Sequence, residues 1–145
     1  MPNPHPAIVH FPIALLTVAV LFELLSRVLK REDFSRIGWW MQLSGTIVLA
    51  LAVLSGIFAR DTVTIGPLAR PDFELHQQLA FAAAGLFAAL LFWRIAAKSR
   101  IPEKHALLYL VLLACGVAVL WAGAWYGGEM VYRFGVGVMT LNGQP

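Results

Sequence analysis

Charge is what this sequence has least of. Only 13% of its 145 residues are Asp, Glu, Lys or Arg, while 59% are hydrophobic; ordinary soluble domains have about 25% and roughly 45–50% respectively. So few charges cannot coat a water-soluble surface, and the surplus apolar side chains must face lipid. Cysteine is nearly absent too. With Cys115 alone, there is no intramolecular disulfide, no Cys-x-x-Cys metal or redox motif and no Cys-x-x-Cys-His for covalent haem attachment, so a metal or cofactor has to be held by histidine or carboxylate. No Lys or Arg precedes the first apolar run. A cleaved secretory signal needs a basic lead, so that run is expected to be retained as a membrane anchor. There is no phosphate-cradling loop, no serine or cysteine nucleophile with a placed base, and no transmembrane pair of carboxylates. A net charge of +3 is too small to mark a nucleic-acid reader, and no nucleic-acid partner is expected.

What is present is apolar sequence in four runs: 7–28, 37–59, 75–97 and 106–128. Each is long enough for a helical span of about 20 residues. The expected fold is all-α, a four-transmembrane-helix bundle occupying the whole chain, 1–145, as a single integral membrane domain. Between the second and third runs, Gly66-Pro67 and Arg70-Pro71 interrupt any regular helix. An outer C-terminal tail, 129–145, follows the last span. Cations set the direction: Arg27, Lys30, Arg31, Arg36, Arg94, Lys98, Arg100 and Lys104 flank one side, and only Arg60, Arg70 and Arg133 the other. The positive-inside rule makes the eight-cation side cytoplasmic, with both termini outside. In a bacterial inner membrane this puts both ends in the periplasm. Trp39 and Trp40 suit the inner interface, and Trp125, Tyr126 and Tyr132 the outer one.

The chain repeats. Gly45, Ala52 and Gly56 in the second span match Gly116, Gly123 and Gly127 in the fourth, at an interval of 71 residues. Each set returns to within about 20° of one helix face and forms a stripe without bulky side chains. Such stripes suit helix–helix packing, or the approach of something flat. Spans one and three each carry a histidine near the outer end, His10 and His76, at an interval of 66. Two hairpins related by a pseudo-twofold axis along the membrane normal would set these at similar depth. Ionisable groups inside a membrane are expensive, so the pair is the first place to seek chemistry. His5, in a proline-rich outer segment, reads as a turn residue or a substitute ligand, and His105 as interfacial. Glu23 is expected to pair with Arg27 at i+4. Asp72 and Glu74 suit the dipole at a helix start.

Two strings carry a family resemblance: His5-Pro6-Ala7-Ile8-Val9-His10-Phe11-Pro12-Ile13-Ala14-Leu15-Leu16, and Gly127-Gly128-Glu129-Met130-Val131-Tyr132-Arg133-Phe134-Gly135-Val136-Gly137-Val138. They resemble the opening and closing signatures of the bacterial membrane family catalogued as domain of unknown function 2231. The resemblance covers essentially the whole chain. It implies redox association, because that domain is also found joined to cytochrome c-type modules; many relatives have histidine where this chain has Phe134, so position 134 supplies no ligand here.

The reading preferred from sequence is a b-type haem electron-transfer protein, an electron carrier rather than a stand-alone enzyme. His10 and His76 are the expected axial ligands, with His5 as the alternative. Gly45, Gly56, Gly116 and Gly123 would lie beside the ring, Phe11, Phe81 and Trp125 would contact it, and Arg70, Tyr132 and Arg133 would pair with the propionates. Bis-imidazole iron has no open position and would transfer electrons rather than activate oxygen. Expected partners are the lipid bilayer, a periplasmic c-type cytochrome or other redox membrane subunits, and a second copy of the chain. Two other classes stay open: a non-enzymatic assembly subunit using the glycine stripes, and an outer-face metal-binding or transport protein using His5, His10, His76 and Glu74.

Overall fold

The computed structural model describes residues 4–99 and 101–138; residues 1–3, Arg100 of the cation count and the tail from 139 onward lie outside the described residues. All regular structure among the described residues is helical: α1 (His5–Ile8), α2 (His10–Leu29), α3 (Glu32–Arg60), α4 (Arg70–Ala96) and α5 (Glu103–Tyr132). α1 and α2 follow one path, since Val9 between them keeps helical angles. The break has a local cause. Pro12 has no N–H to give the carbonyl of Ile8 four residues back, and its ring crowds that carbonyl. Four helical segments of 25 to 30 residues are long and apolar enough to cross a membrane.

Pro71 and Pro102 start helices rather than end them. Pro71 sits in the first turn of α4, where no intrahelical N–H is required, so this helix begins at Arg70 and not near Leu75. Pro102 stands immediately before α5. At the end of α2, Lys30 takes the left-handed conformation at φ 52°, and after the extended Arg31 the chain enters α3 at Glu32. α5 outlasts its expected span by one turn. Gly135 and Gly137, at φ 67° and 77°, then supply the left-handed angles that curl the chain back, with Val136 N–H bonding the Met130 carbonyl at 2.9 Å.

α2 packs on α3 and α4 on α5, and the two hairpins close into a ring through α2–α5 and α3–α4. α2 and α4 are therefore diagonal partners. Their buried faces show how they are related. α2 buries Pro12, Leu16, Ala19 and Glu23; α4 buries Ala83, Phe87, Leu90 and Arg94, each 71 residues further on. Gly38, Gln42, Gly45, Leu49, Ala52 and Ala59 of α3 likewise have buried counterparts in α5 at Tyr109, Leu113, Gly116, Leu120, Gly123 and Met130. The bundle is thus two like hairpins about a pseudo-twofold axis, and 71 is its interval throughout.

Leu16 and Phe87, both fully buried, occupy the middle of the core. The glycine stripes make room for them. A Cβ on Gly45 would lie 2.8 Å from Leu16, and one on Gly116 3.0 Å from Phe87. This corrects the expectation that both glycines lie beside a flat ligand: their space is filled by the neighbouring helix of the same hairpin. Outside the ring, side chains such as Phe58, Phe92 and Leu107 are more than 70% exposed, as a lipid-facing surface requires.

Candidate functional site

Where α1 and α4 begin, two imidazoles face each other across the pseudo-twofold axis. They belong to His5 and His76, with ring centroids 6.3 Å apart and planes at 79°. Each is anchored in the same way. His5 Nδ1 lies 3.1 Å from the Ala52 carbonyl and 2.9 Å from Ser55 Oγ, and His76 Nδ1 lies 2.7 Å from the Gly123 carbonyl. Ala52 and Gly123 are themselves 71 residues apart. A carbonyl oxygen only accepts, so Nδ1 carries the hydrogen in both rings; in a neutral imidazole this makes Nε2 the nitrogen with the lone pair. The outer ends of the glycine stripes seat the rings. A Cβ on Gly56 would come within 2.9 Å of His5 Cε1, and one on Gly127 within 3.1 Å of His76 Cε1.

The structure brings His5, not His10, to His76. His10 is exposed, and the position 71 residues after it is Phe81, itself 48% exposed. The sequence interval of 66 matched residues five positions out of phase, which turns a helix by about 140° and points the side chain elsewhere. His10 instead borders a shallow lipid-facing groove of about 290 Å³ with Thr17 and Trp121, whose indole N–H donates to Thr17 Oγ1 at 3.1 Å.

The other expected cofactor contacts disperse. Arg70 pairs with Glu74 and Arg133 with Glu129 on their own helices, both at 3.6 Å, and Tyr132 is 92% exposed. Phe11 and Trp125, at 63% and 69% exposure, also face outward. A Cβ on Gly123 would meet Leu79 at 3.4 Å; this glycine contributes through its carbonyl to His76. His105 packs edge-on against Trp93 at 5.9 Å, near the start of α5. Among the described residues, no three His, Cys, Asp or Glu side chains are grouped to hold a metal ion, so His5, His10, His76 and Glu74 do not form one site.

At the opposite end lies a polar cluster that was not foreseen. Arg94, 1% exposed, donates to Glu23 Oε2 at 2.9 Å, Gln42 Oε1 at 3.3 Å, the Ser35 carbonyl at 2.8 Å and Ser35 Oγ at 3.0 Å. Its guanidinium also lies 5.6 Å from the centroid of Trp39 and 5.7 Å from that of Tyr109. Tyr109 donates its hydroxyl hydrogen to Gln42 Oε1. Glu23 holds Arg27 at 3.1 Å as expected, but its principal partner is Arg94. The signal was available: 23 and 94 differ by the interval of the glycine stripes.

Four membrane-length helices arranged as two like hairpins, with symmetry-equivalent polar pairs meeting on the axis at each end, define an integral membrane bundle. The chain belongs to the family described as Predicted membrane protein (DUF2231), which matches residues 2–140. No curated protein and no solved structure matches it.

Proposed function

We propose that the protein is a membrane-embedded b-type haem electron-transfer protein in which His5 and His76 are the axial ligands. The observation that supports this reading is the His5–His76 pair itself, with centroids 6.3 Å apart. An imidazole nitrogen lies about 2 Å from a metal it binds, so two imidazoles on opposite sides of one ion have centroids roughly 6 Å apart. The backbone bonds at Nδ1 are those that orient metal-binding histidines and raise the basicity of Nε2. Two nitrogen donors suit an iron already held by a porphyrin, whereas a structural zinc takes four protein ligands. Held by His5 and His76, such a group would supply one-electron transfer.

The protein's own part is to hold two rings at fixed separation, through carbonyls on α3 and α5 that the pseudo-twofold relates. In the bacterial inner membrane the histidine end faces the periplasm, together with both termini. Burial of Arg94 removes one of the eight cations counted for the cytoplasmic side, and seven still oppose three. The partner for electron exchange would be a periplasmic c-type cytochrome or another redox subunit. The glycine stripes give little support to an assembly role, because Gly45 and Gly116 are filled from within the chain.

The visible spectrum tests the reading. Protein purified in mild detergent after haem-replete expression is expected to show a low-spin spectrum that changes on reduction. His5→Ala and His76→Ala should each abolish it, and His10→Ala should leave it. A haem-free preparation, or loss of the spectrum in His10→Ala with retention in His5→Ala, refutes it.

A further inference from the structure

Opposite the histidines, the ends of α2 and α3 together with Lys98, Ser99, Ile101 and Glu103 border a half-open cavity of about 760 Å³. It is lined by five cations: Arg27, Lys30, Arg31, Arg36 and Lys98. Three acids, Glu23, Glu32 and Glu103, share the lining, so five cations against three acids leave it an excess of two positive charges. Glu23 is shared, Oε1 taken by Arg27 and Oε2 by Arg94 and Ser35, so it offsets Arg27 only in part. Glu32 and Glu103 sit in the first turns of α3 and α5, where the helix dipole favours an acid. Arg31 has Asp33 at 3.3 Å. Among the described residues Lys30, Arg36 and Lys98 enter no ion pair, and the buried Nε of Arg27 has no hydrogen-bond partner.

We infer that this cavity is a binding site for a phosphate group, carried by the headgroup of an anionic phospholipid. Lys30, Arg36 and Lys98, without ion-pair partners among the described residues and lining one cavity from both hairpins, can meet the oxygens of a phosphodiester from more than one side, as basic pockets between membrane helices do. The surroundings favour a lipid over a free anion. Val28 and Leu29, immediately before Lys30, are 67% and 51% exposed, so an apolar surface that acyl chains can cover adjoins the cations along α2. The site is independent of the haem reading, since none of its residues belongs to the histidine end.

Native mass spectrometry of the full chain released from vesicles tests it. Vesicles of phosphatidylcholine with phosphatidylglycerol should yield protein retaining one phosphatidylglycerol, in at least fivefold excess over phosphatidylcholine after correction for composition. The variant Lys30→Gln/Arg36→Gln/Lys98→Gln should lose that preference while keeping its helical circular dichroism. Lys98→Gln alone should weaken it and Lys98→Arg restore it, a comparison that stands if the triple variant does not fold. Arg60→Gln, at the histidine end, should leave it unchanged. In a second arm, inorganic phosphate at millimolar concentration is added to delipidated protein. Thermal stabilisation by phosphate equal to that by phosphatidylglycerol keeps the phosphate site and overturns the lipid source. Equal retention of both lipids, or an equal loss of preference in Arg60→Gln and Lys98→Gln, overturns the inference.

Discussion

Removing the carboxylate of Glu23 is expected to destabilise the bundle more than removing the guanidinium of Arg94, although both substitutions break the same 2.9 Å bond. Breaking a buried pair by deleting one partner costs about 3–5 kcal/mol, most of it from the charge left behind. The charges left behind differ. In Arg94→Met, Glu23 keeps Arg27 at 3.1 Å and the Ser35 hydroxyl at 3.3 Å, and a carboxylate can take up a proton. In Glu23→Leu, Arg94 stays 1% exposed with only the neutral acceptors Gln42 and Ser35, and arginine does not deprotonate in proteins. We therefore place Arg94→Met at about 3 kcal/mol and Glu23→Leu at about 5 kcal/mol, with the double variant less damaged than Glu23→Leu alone. The difference of about 2 kcal/mol is more than tenfold in the unfolding equilibrium. Unfolding in mixed micelles of dodecylmaltoside and SDS, followed by circular dichroism, measures it. A larger loss for Arg94→Met than for Glu23→Leu, or losses below about 1 kcal/mol for both, would refute the reasoning.

Gly56→Ala and Gly127→Ala force a methyl against His5 and His76 at 2.9 and 3.1 Å. Each should cost about 1–3 kcal/mol and, under the proposed haem ligation by His5 and His76, lower the pigment-to-protein ratio, the first more than the second. Tyr109→Phe should cost about 1 kcal/mol, because Gln42 Oε1 keeps Arg94; Gln42→Leu should cost more by orphaning the tyrosine hydroxyl in the core. The same micelle unfolding reads both. Leu16→Ala and Phe87→Ala each empty a fully buried position and should cost about 2–5 and 3–5 kcal/mol, again by micelle unfolding.

The four spans were legible because lipid leaves few alternatives to a long apolar helix. The repeat was legible in the glycines, where close approach of Leu16 and Phe87 forbids a side chain. The histidine pair was half legible. His76 does meet a second imidazole, but His10 was matched to it by its setting, a histidine entering an apolar run. His5 has the right interval of 71, yet it lies between Pro4 and Pro6, which read as a turn. In the structure Pro6 occupies the first turn of α1, a position compatible with proline. Arg94 was obscured by its neighbourhood: beside Lys98 and Arg100 it reads as one more interfacial cation, and local pattern does not tell a long arginine that reaches inward from one that reaches water.

The charged pair on the axis bears on which halves associate. Positions 23 and 94 are equivalent under the pseudo-twofold, so a bundle made from two first hairpins would set Glu23 against a second Glu23. Two second hairpins would set arginine against arginine. Only the mixed arrangement brings opposite charges together in the apolar interior, where a like-charged contact is most costly. In a crowded membrane, where hairpins meet during insertion, Glu23 and Arg94 favour the joining of a first hairpin to a second over the joining of two like hairpins.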